Sequence, residues 1–468
     1  MPSPLSLPLD QLPDPLPVPP IRPRPGDAPL RARVTPPGSK SLTNRLLLLA
    51  AMCEGESVLR RPLLEADDAQ RMLAALARLG VACTIEGDTA HIRGVSGCWQ
   101  PDESPLTLDL NNAGTATRFL SAAALLSPTP MTITGNERMR QRPIAELVTS
   151  LRQLGAKVEH TGDPTCPPIT ITPPSEFTTT TLEIPTTQSS QFISALILVA
   201  PWLPSGLTLK LVGQVTSASY VRMTLALLER LEVECRTSAD LSVIQIPPGP
   251  PRAFEIDVEP DASGATYFWG AGALLPGASV SVPGLDSGSL QGDAKFPDLL
   301  ARMGAKVTET PATPTRPGAI SVAAPDQLQP IVADMSDMPD AAMTIAALAA
   351  FAPRRSVLTG VRTLRVKETD RIAALQNELA KIGVTVHADA TNDPDTITIT
   401  PPEGGLDLSD SAPEVTFDTY DDHRMAMSLA LIALRRPNVL INDPGCVAKT
   451  YPTFWKDLAA LYPHSSAT

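Results

Sequence analysis

The sequence lacks the residue patterns that mark several large classes of protein. Its six cysteines (Cys53, Cys83, Cys98, Cys166, Cys235, Cys446) form no Cys-x-x-Cys pair and no Cys/His ligand spacing. That argues against a zinc site or a disulfide framework and for reduced thiols in a cytoplasmic protein. Basic charge is not in excess. The net charge is −12 over 468 residues, so neither nucleic acid nor an anionic membrane surface is expected as a partner. The longest apolar runs, such as residues 193–203, fall far short of the roughly 20 residues that span a bilayer. There is no Gly-x-Ser-x-Gly elbow, no His-Glu-x-x-His, no dinucleotide fingerprint and no P-loop. Hydrolysis by those devices and nicotinamide chemistry are not expected, nor is any cofactor or metal. Residues 1–29 have neither the basic start nor the apolar stretch of a signal or transit peptide. With Pro13, Pro15, Pro17, Pro19 and Pro20, they are expected to form a disordered, polyproline-like leader, the alternative being a ligand for a proline-binding module.

What the chain does contain is a long repeat. Helix-like periodicity ends in Leu79-Gly80-Val81, Leu154-Gly155-Ala156, Leu231-Glu232-Val233, Met303-Gly304-Ala305 and Ile382-Gly383-Val384. Each junction is followed by alternating strand sequence, such as 157–160 with 169–172 and 384–387 with 396–399. A glycine after the last periodic residue is the usual left-handed helix stop. The period is suited to a βαβαββ unit, and a sixth copy would close over 454–461. Six units suggest two lobes of three: 30–37 with 259–468, and 38–258, joined through two hinge strands. A cleft between the lobes is where a substrate site is expected.

Polar residues gather at helix starts. Pro37-Gly38-Ser39-Lys40-Ser41 precedes a leucine-rich helix expected to begin near Ser41, with Ser41 able to cap it and Arg45 one turn on. Asn111-Asn112-Ala113-Gly114 precedes a helix over 119–126, and Arg142 precedes one over 144–154. Ser189-Ser190-Gln191 and Ser217 open two more. Asp340 leads a helix over 341–351, as an N-cap or, facing a cleft, as a general base. The run Asp334, Asp337, Asp340 lacks the glycine turn and glutamate of a calcium loop. Arg365-Val366-Lys367-Glu368-Thr369-Asp370-Arg371 packs three cations about Glu368, and Arg424 and Lys449 add one cation each. His423 reads as a capping or core histidine, with catalysis as the minority alternative. Each stretch alone also fits a capped turn with solvated charges. Together, in an acidic protein, they point to polyanionic small molecules and cofactor-free proton chemistry at Asp340 and Glu368.

These stretches resemble, in order from about Leu30 to the C-terminus, the family of 3-phosphoshikimate 1-carboxyvinyltransferases (EPSP synthases). The likeness rests on Pro-Gly-Ser-Lys-Ser-x-x-Asn-Arg (37–45), Asn-Ala-Gly-Thr-Ala-x-Arg (112–118), Arg-Pro-Ile (142–144) and Ser-Ser-Gln-Phe (189–192). Pro-Asp-Ala-Ala-Met-Thr (339–344), Arg-Val-Lys-Glu-Thr-Asp-Arg (365–371), Asp-His-Arg-Met-Ala-Met (422–427) and Ala-Lys-Thr-x-Pro (448–452) complete it. The resemblance implies an α/β fold, a two-lobed inside-out α/β barrel with three βαβαββ repeats per lobe. It implies transfer of the enolpyruvyl group of phosphoenolpyruvate to the 5-hydroxyl of shikimate 3-phosphate; a monomer is expected. Carried over by motif, Lys40, Ser41, Arg45, Ser189, Ser190, Gln191, Ser217, Asp340 and Lys367 would hold shikimate 3-phosphate. Phosphoenolpyruvate would meet Lys40, Asn112, Gly114, Arg142, Gln191, Arg371, Arg424 and Lys449. Asp340, Glu368 and Lys40 would be catalytic, with Lys449 a second candidate for the proton on the vinyl carbon.

Three positions depart from the family pattern. Asn111 stands where Gly is common, Phe119 where many members have Pro, and Thr363 where Asn is frequent. With Gly114 retained, competition between glyphosate and phosphoenolpyruvate is expected. Two rivals are kept. One is the sister enzyme that acts on UDP-N-acetylglucosamine, which typically opens with Lys-Asn and uses a loop cysteine, whereas here Ser41 follows Lys40. The other is an anion-binding protein without turnover.

Overall fold

A computed structural model describes residues 4–22, 29–185, 189–213, 215–313 and 315–462. The chain divides into two compact units, residues 1–37 with 260–468, and residues 38–259.

In unit 38–259 there are three four-stranded sheets of one design. Leu106–Asp109 runs parallel to Met131–Thr134, which is antiparallel to Ile169–Thr172, which in turn pairs antiparallel with Lys157–His160. In two of the sheets a helix links the first two strands in chain order and another links the second to the third, so each is one βαβαββ repeat; the third sheet has the same pairing but takes its first strand from Glu255–Asp257. Most strands alternate in burial, as in Met131–Thr134, while the edge strand Ala82–Glu86 is exposed throughout, so each sheet has one face on the core and one toward solvent. The helices that follow the first strands are apolar almost all round. In Ser190–Val199 every residue but Gln191 is buried, which places these helices inside and the sheets outside.

The other unit repeats the plan with two four-stranded sheets and one of three strands. Its central helices are Ala262–Leu274, Ala342–Ala349 and His423–Ala433, all fully buried. Gly270 sits where they converge. A Cβ there would come within 3.2 Å of Thr344 and 3.3 Å of Leu431, so glycine permits the close approach.

The expected helix stops are present in detail. Gly80, Gly155, Gly304 and Gly383 have φ of +87°, +100°, +97° and +79°, and Glu232 takes the same position at +62°. Each makes the paired bonds of a Schellman motif, for example Val81 N to Leu76 O (3.1 Å) and Gly80 N to Ala77 O (3.0 Å). The crossing segments exchange first strands. Arg31–Arg33 precedes the first helix of unit 38–259 yet pairs with Ser279–Pro283, and Glu255–Asp257 precedes Ala262–Leu274 yet pairs with Glu56–Arg60.

The leader is not disordered over residues 4–22. Leu16–Val18 forms an antiparallel strand on Val439–Ile441 and completes the short sheet of the sixth repeat. Leu5, Leu16, Val18 and Ile21 are buried in the core of that unit. Prolines do not forbid this, because an edge strand tolerates residues without N–H donors. Arg22 pairs with Asp410 and Ile21 N donates to Leu434 O, while Pro13, Pro15, Pro17 and Pro19 stay exposed. Leader residues 1–3 and 23–28 lie outside the described ones.

All six cysteines are free thiols. Among the described residues, no helix is long and apolar enough to cross a membrane.

Candidate active site

In unit 38–259 the predicted residues lie at or just before the starts of five helices, Arg142 three residues ahead of Ala145–Gln153. Lys40 opens Lys40–Met52, but the cap is Ser39, whose Oγ accepts from Leu42 N, rather than Ser41. Gly38 is fixed by space: a Cβ would lie 2.1 Å from Arg61 O. Lys40 Nζ lies 3.4 Å from the buried Asp68 carboxylate, and Ser41 follows in the first turn. Arg45 is not a solvated cation. It is buried, donates to Thr224 Oγ1 (2.8 Å), Ser41 O (2.8 Å), Ser194 Oγ (3.3 Å) and Tyr220 O (3.3 Å), and lies over the Phe119 ring at 5.3 Å. Those bonds tie three helices together and leave little of the guanidinium for a ligand. Burial pulls its pKa down to about 10, still cationic at neutral pH.

The helix expected over 119–126 begins earlier, at Gly114, and runs Gly114–Ala123 with a 3₁₀ turn after it. Arg142 is buried and donates to Asn112 Oδ1 (3.0 Å) and Asn112 O (3.3 Å). A Cβ on Gly114 would come within 2.7 Å of Arg142 Nη2. The departure at Asn111 is explained by its φ of +49°; after glycine, asparagine takes that conformation most readily. Phe119 lies inside the helix and serves Arg45. Ser189 caps Ser190–Val199 through Gln191 N (3.3 Å), and Gln191 Nε2 reaches Thr115 Oγ1 at 3.5 Å. Ser217 precedes Ala218–Arg230 with φ +51°. Asn112, Gly114, Thr115, Arg142 and Gln191 therefore form one connected group.

In the other unit Asp340 lies in the 3₁₀ turn Pro339–Ala341 and is not a helix cap. Its Oδ1 meets Arg371 Nη1 (2.9 Å) and Lys367 Nζ (3.3 Å), and its Oδ2 meets Arg424 Nη2 (3.2 Å). Arg371 opens Arg371–Ala380 and is almost wholly buried. It also binds Glu368 Oε2 (2.9 Å) and, in a two-point clamp, Asp422 (2.7 and 3.1 Å). Asp422 in turn caps His423–Ala433 by accepting from Arg424 N. Three cations and three carboxylates are thus packed together, mostly out of water. Burial pushes the Asp340 carboxyl up, but Arg424, Lys367 and Arg371 outweigh it and hold it well below the usual range. Burial likewise opposes the charge on Arg371, and Asp422, Glu368 and Asp340 more than restore it. Lys449 ends the 3₁₀ turn Pro444–Lys449 and is buried.

Of the aspartate run read for metal binding, Asp334 accepts from Ser336 N and Asp340 joins the cations. Among the described residues no three His, Cys, Asp or Glu side chains gather as a metal site. His423 is fully buried beside Asp422, at 3.7 Å. Sequence reasoning missed the roles of Asp422 and Asp68. For Asp422 a signal existed, an aspartate immediately before an apolar helix; for Asp68, on the next helix from its partner, there was none.

The family model of EPSP synthase (3-phosphoshikimate 1-carboxyvinyltransferase) matches residues 25–458. A protein of that name from Laribacter hongkongensis is 42% identical over 450 residues, covering 93% of this chain and 97% of its own. One from Ralstonia pickettii is 40% identical over 436 residues, covering 91% and 95%. Among solved structures, EPSP synthase from Acinetobacter baumannii superimposes with a TM-score of 0.75 at 25% identity, covering 94% of this chain and 98% of that one. Matches of this extent, over the same residues that build both charged groups, place the chain in the EPSP synthase family.

Proposed function

We propose that the chain transfers the enolpyruvyl group of phosphoenolpyruvate to the 5-hydroxyl of shikimate 3-phosphate, releasing phosphate, and that the residues above divide the work as follows. Lys40, Ser41, Ser189, Ser190, Gln191, Ser217 and Lys367 hold shikimate 3-phosphate, with Arg45 acting chiefly by fixing Ser41 and the neighbouring helices. Asn112, Gly114, Arg142, Arg371, Arg424 and Lys449 hold phosphoenolpyruvate, with Lys40 and Gln191 shared. The observation that carries this is Asp340, an ionised carboxylate gripped by Arg371, Arg424 and Lys367 at 2.9, 3.2 and 3.3 Å.

As it stands, Asp340 is too weak a base to take a hydroxyl proton. Phosphoenolpyruvate brings a carboxylate and a phosphate that draw Arg371 and Arg424 to themselves. That relieves Asp340 of its cations and raises its basicity when the acceptor hydroxyl is present. Asp340 then takes the 5-hydroxyl proton as the oxygen bonds to C2 of phosphoenolpyruvate. Glu368, with Lys40 or Lys449, delivers a proton to C3, giving a tetrahedral phosphate ketal. Loss of a C3 proton and cleavage of the C2–O bond then release phosphate and leave the enol ether. The arginines stabilise the charge gathering on the departing phosphate.

The test is phosphate release from phosphoenolpyruvate by the purified protein with shikimate 3-phosphate, with UDP-N-acetylglucosamine, and with neither, at a protein concentration where light scattering gives the mass of one chain. Release only with shikimate 3-phosphate is expected. Release with the sugar nucleotide would transfer the chain to the sister activity, and binding without release would leave an anion-binding protein.

A further inference from the structure

Glu378 is fully buried on Arg371–Ala380, two turns beyond Arg371. Its carboxylate has three partners. Oε1 accepts from Tyr420 Oη (2.7 Å), Oε2 accepts from Asp418 N (2.8 Å), and Lys381 Nζ lies 2.7 Å away. Lys381 also holds Asp418 Oδ2 (2.8 Å) and Thr416 O (3.0 Å). The loop gripped in this way is strained: Tyr420 and Asp421 have φ of +58° and +53°, two successive side-chain-bearing residues in the left-handed region. The next residue is Asp422, which clamps Arg371 and caps the helix bearing Arg424.

We propose that Glu378 is a positioning residue of the reaction. It holds the 418–421 turn in its left-handed form, and the turn aims Asp422 at Arg371. One helix thus grips the same loop twice, at Glu378 and at Arg371, and the two grips fix the direction of the guanidinium. Without Glu378 the turn has no buried acceptor for Asp418 N and Tyr420 Oη, and it relaxes toward ordinary φ values. Asp422 then swings, and Arg371 loses its two-point clamp. Glu378, Tyr420 and Asp422 need not touch a substrate. The proposal rests on the reading of Arg371 as a phosphoenolpyruvate ligand.

The experiment is steady-state kinetics with both substrates, on the full chain, for Glu378→Gln, Glu378→Ala, Tyr420→Phe, Arg371→Lys and the Glu378→Gln/Arg371→Lys pair, with a melting curve for each. Glu378→Ala is expected to raise KM for phosphoenolpyruvate at least tenfold while KM for shikimate 3-phosphate stays within threefold. Tyr420→Phe and Glu378→Gln give smaller shifts of the same kind, which serve if the alanine variant does not fold. The double variant is expected to be no worse than Arg371→Lys alone, because Glu378 acts through Arg371. Lower melting temperatures with unchanged KM in every folded Glu378 and Tyr420 variant would overturn the proposal, as would additivity in the double variant. If Arg371→Lys itself left KM for phosphoenolpyruvate unchanged, the reading of Arg371 would fall and the proposal with it. If Arg371→Lys raised it and the Glu378 variants did not, only the proposal would fall.

Discussion

Replacing Asp340 by Asn separates binding from chemistry. The side chain keeps its size and one acceptor oxygen but loses the charge that meets Lys367, Arg371 and Arg424. In the wild type Asp340, Glu368 and Asp422 face these cations, so the variant's group is one charge more positive. An incoming anion no longer competes with the carboxylate. At roughly 7 Å and an effective dielectric near 20, the repulsion removed is about 2 kcal/mol per unit charge. Phosphoenolpyruvate should therefore bind roughly tenfold or more tighter. Loss of the general base should lower kcat by roughly 10²–10⁴. Stability provides a second check. The folded carboxyl lies well below its ordinary value, so its stabilisation is present above about pH 4 and is lost as pH falls through the folded pKa. The destabilisation of the variant should be largest at neutral pH and shrink in acid. The assay is phosphate release for kcat and calorimetry for phosphoenolpyruvate binding. Retention of kcat within threefold, or loss of affinity together with kcat, would refute the reasoning.

Four further outcomes follow from particular contacts. Gly114→Ala should fold, because the clash is with the mobile end of Arg142, yet raise KM for phosphoenolpyruvate by roughly tenfold as the guanidinium is displaced; an unchanged KM counts against Arg142 as a ligand. Leu16→Ala, in a segment that reads as unstructured, should cost about 2–5 kcal/mol in chemical denaturation, whereas a free leader would give no measurable change. Asp293 is pushed up to about 7 by burial, the Ser263 hydroxyl and Arg424 opposing and the Asp340 charge adding. Because its folded pKa exceeds its unfolded one, stability should fall as pH rises from about 4 to about 7, by up to about 4 kcal/mol, and Asp293→Asn should abolish that slope in denaturation at pH 5 and pH 8. Thr224→Val removes an acceptor from the buried Arg45 guanidinium and should destabilise the protein by about 1–3 kcal/mol by chemical denaturation, an unchanged stability speaking against a structural role for that bond.

The repeat was legible because its punctuation is local. A left-handed residue must follow each helix, and glycine supplies it at four of the five junctions; only Glu232 (φ +62°) hides the signal. Helix starts were legible to within a few residues. The cap moved from Ser41 to Ser39 because the turn begins at Gly38, where Arg61 O leaves no room for a Cβ. The Gly114 helix started early because small residues, read as a turn, pack inside it. The leader was misread because composition reports local preference, whereas the exposed edge of Val439–Ile441 offered it a strand partner. The cations of the site were visible one by one. What the sequence could not supply was their partners: Asp422 is 51 residues from Arg371 and Asp340 is 31 from it. Distance along the chain hid which plain salt-bridge readings were wrong.

The most direct measurement is the reaction of phosphoenolpyruvate with shikimate 3-phosphate in D₂O, followed by proton and phosphorus NMR. Addition and elimination through a C3 methyl group predict one new enol ether whose vinyl carbon has acquired deuterium, with one phosphate released per ether formed and the shikimate phosphate intact. A product without deuterium, phosphate drawn from shikimate 3-phosphate, or phosphate release with no enol ether would contradict the account.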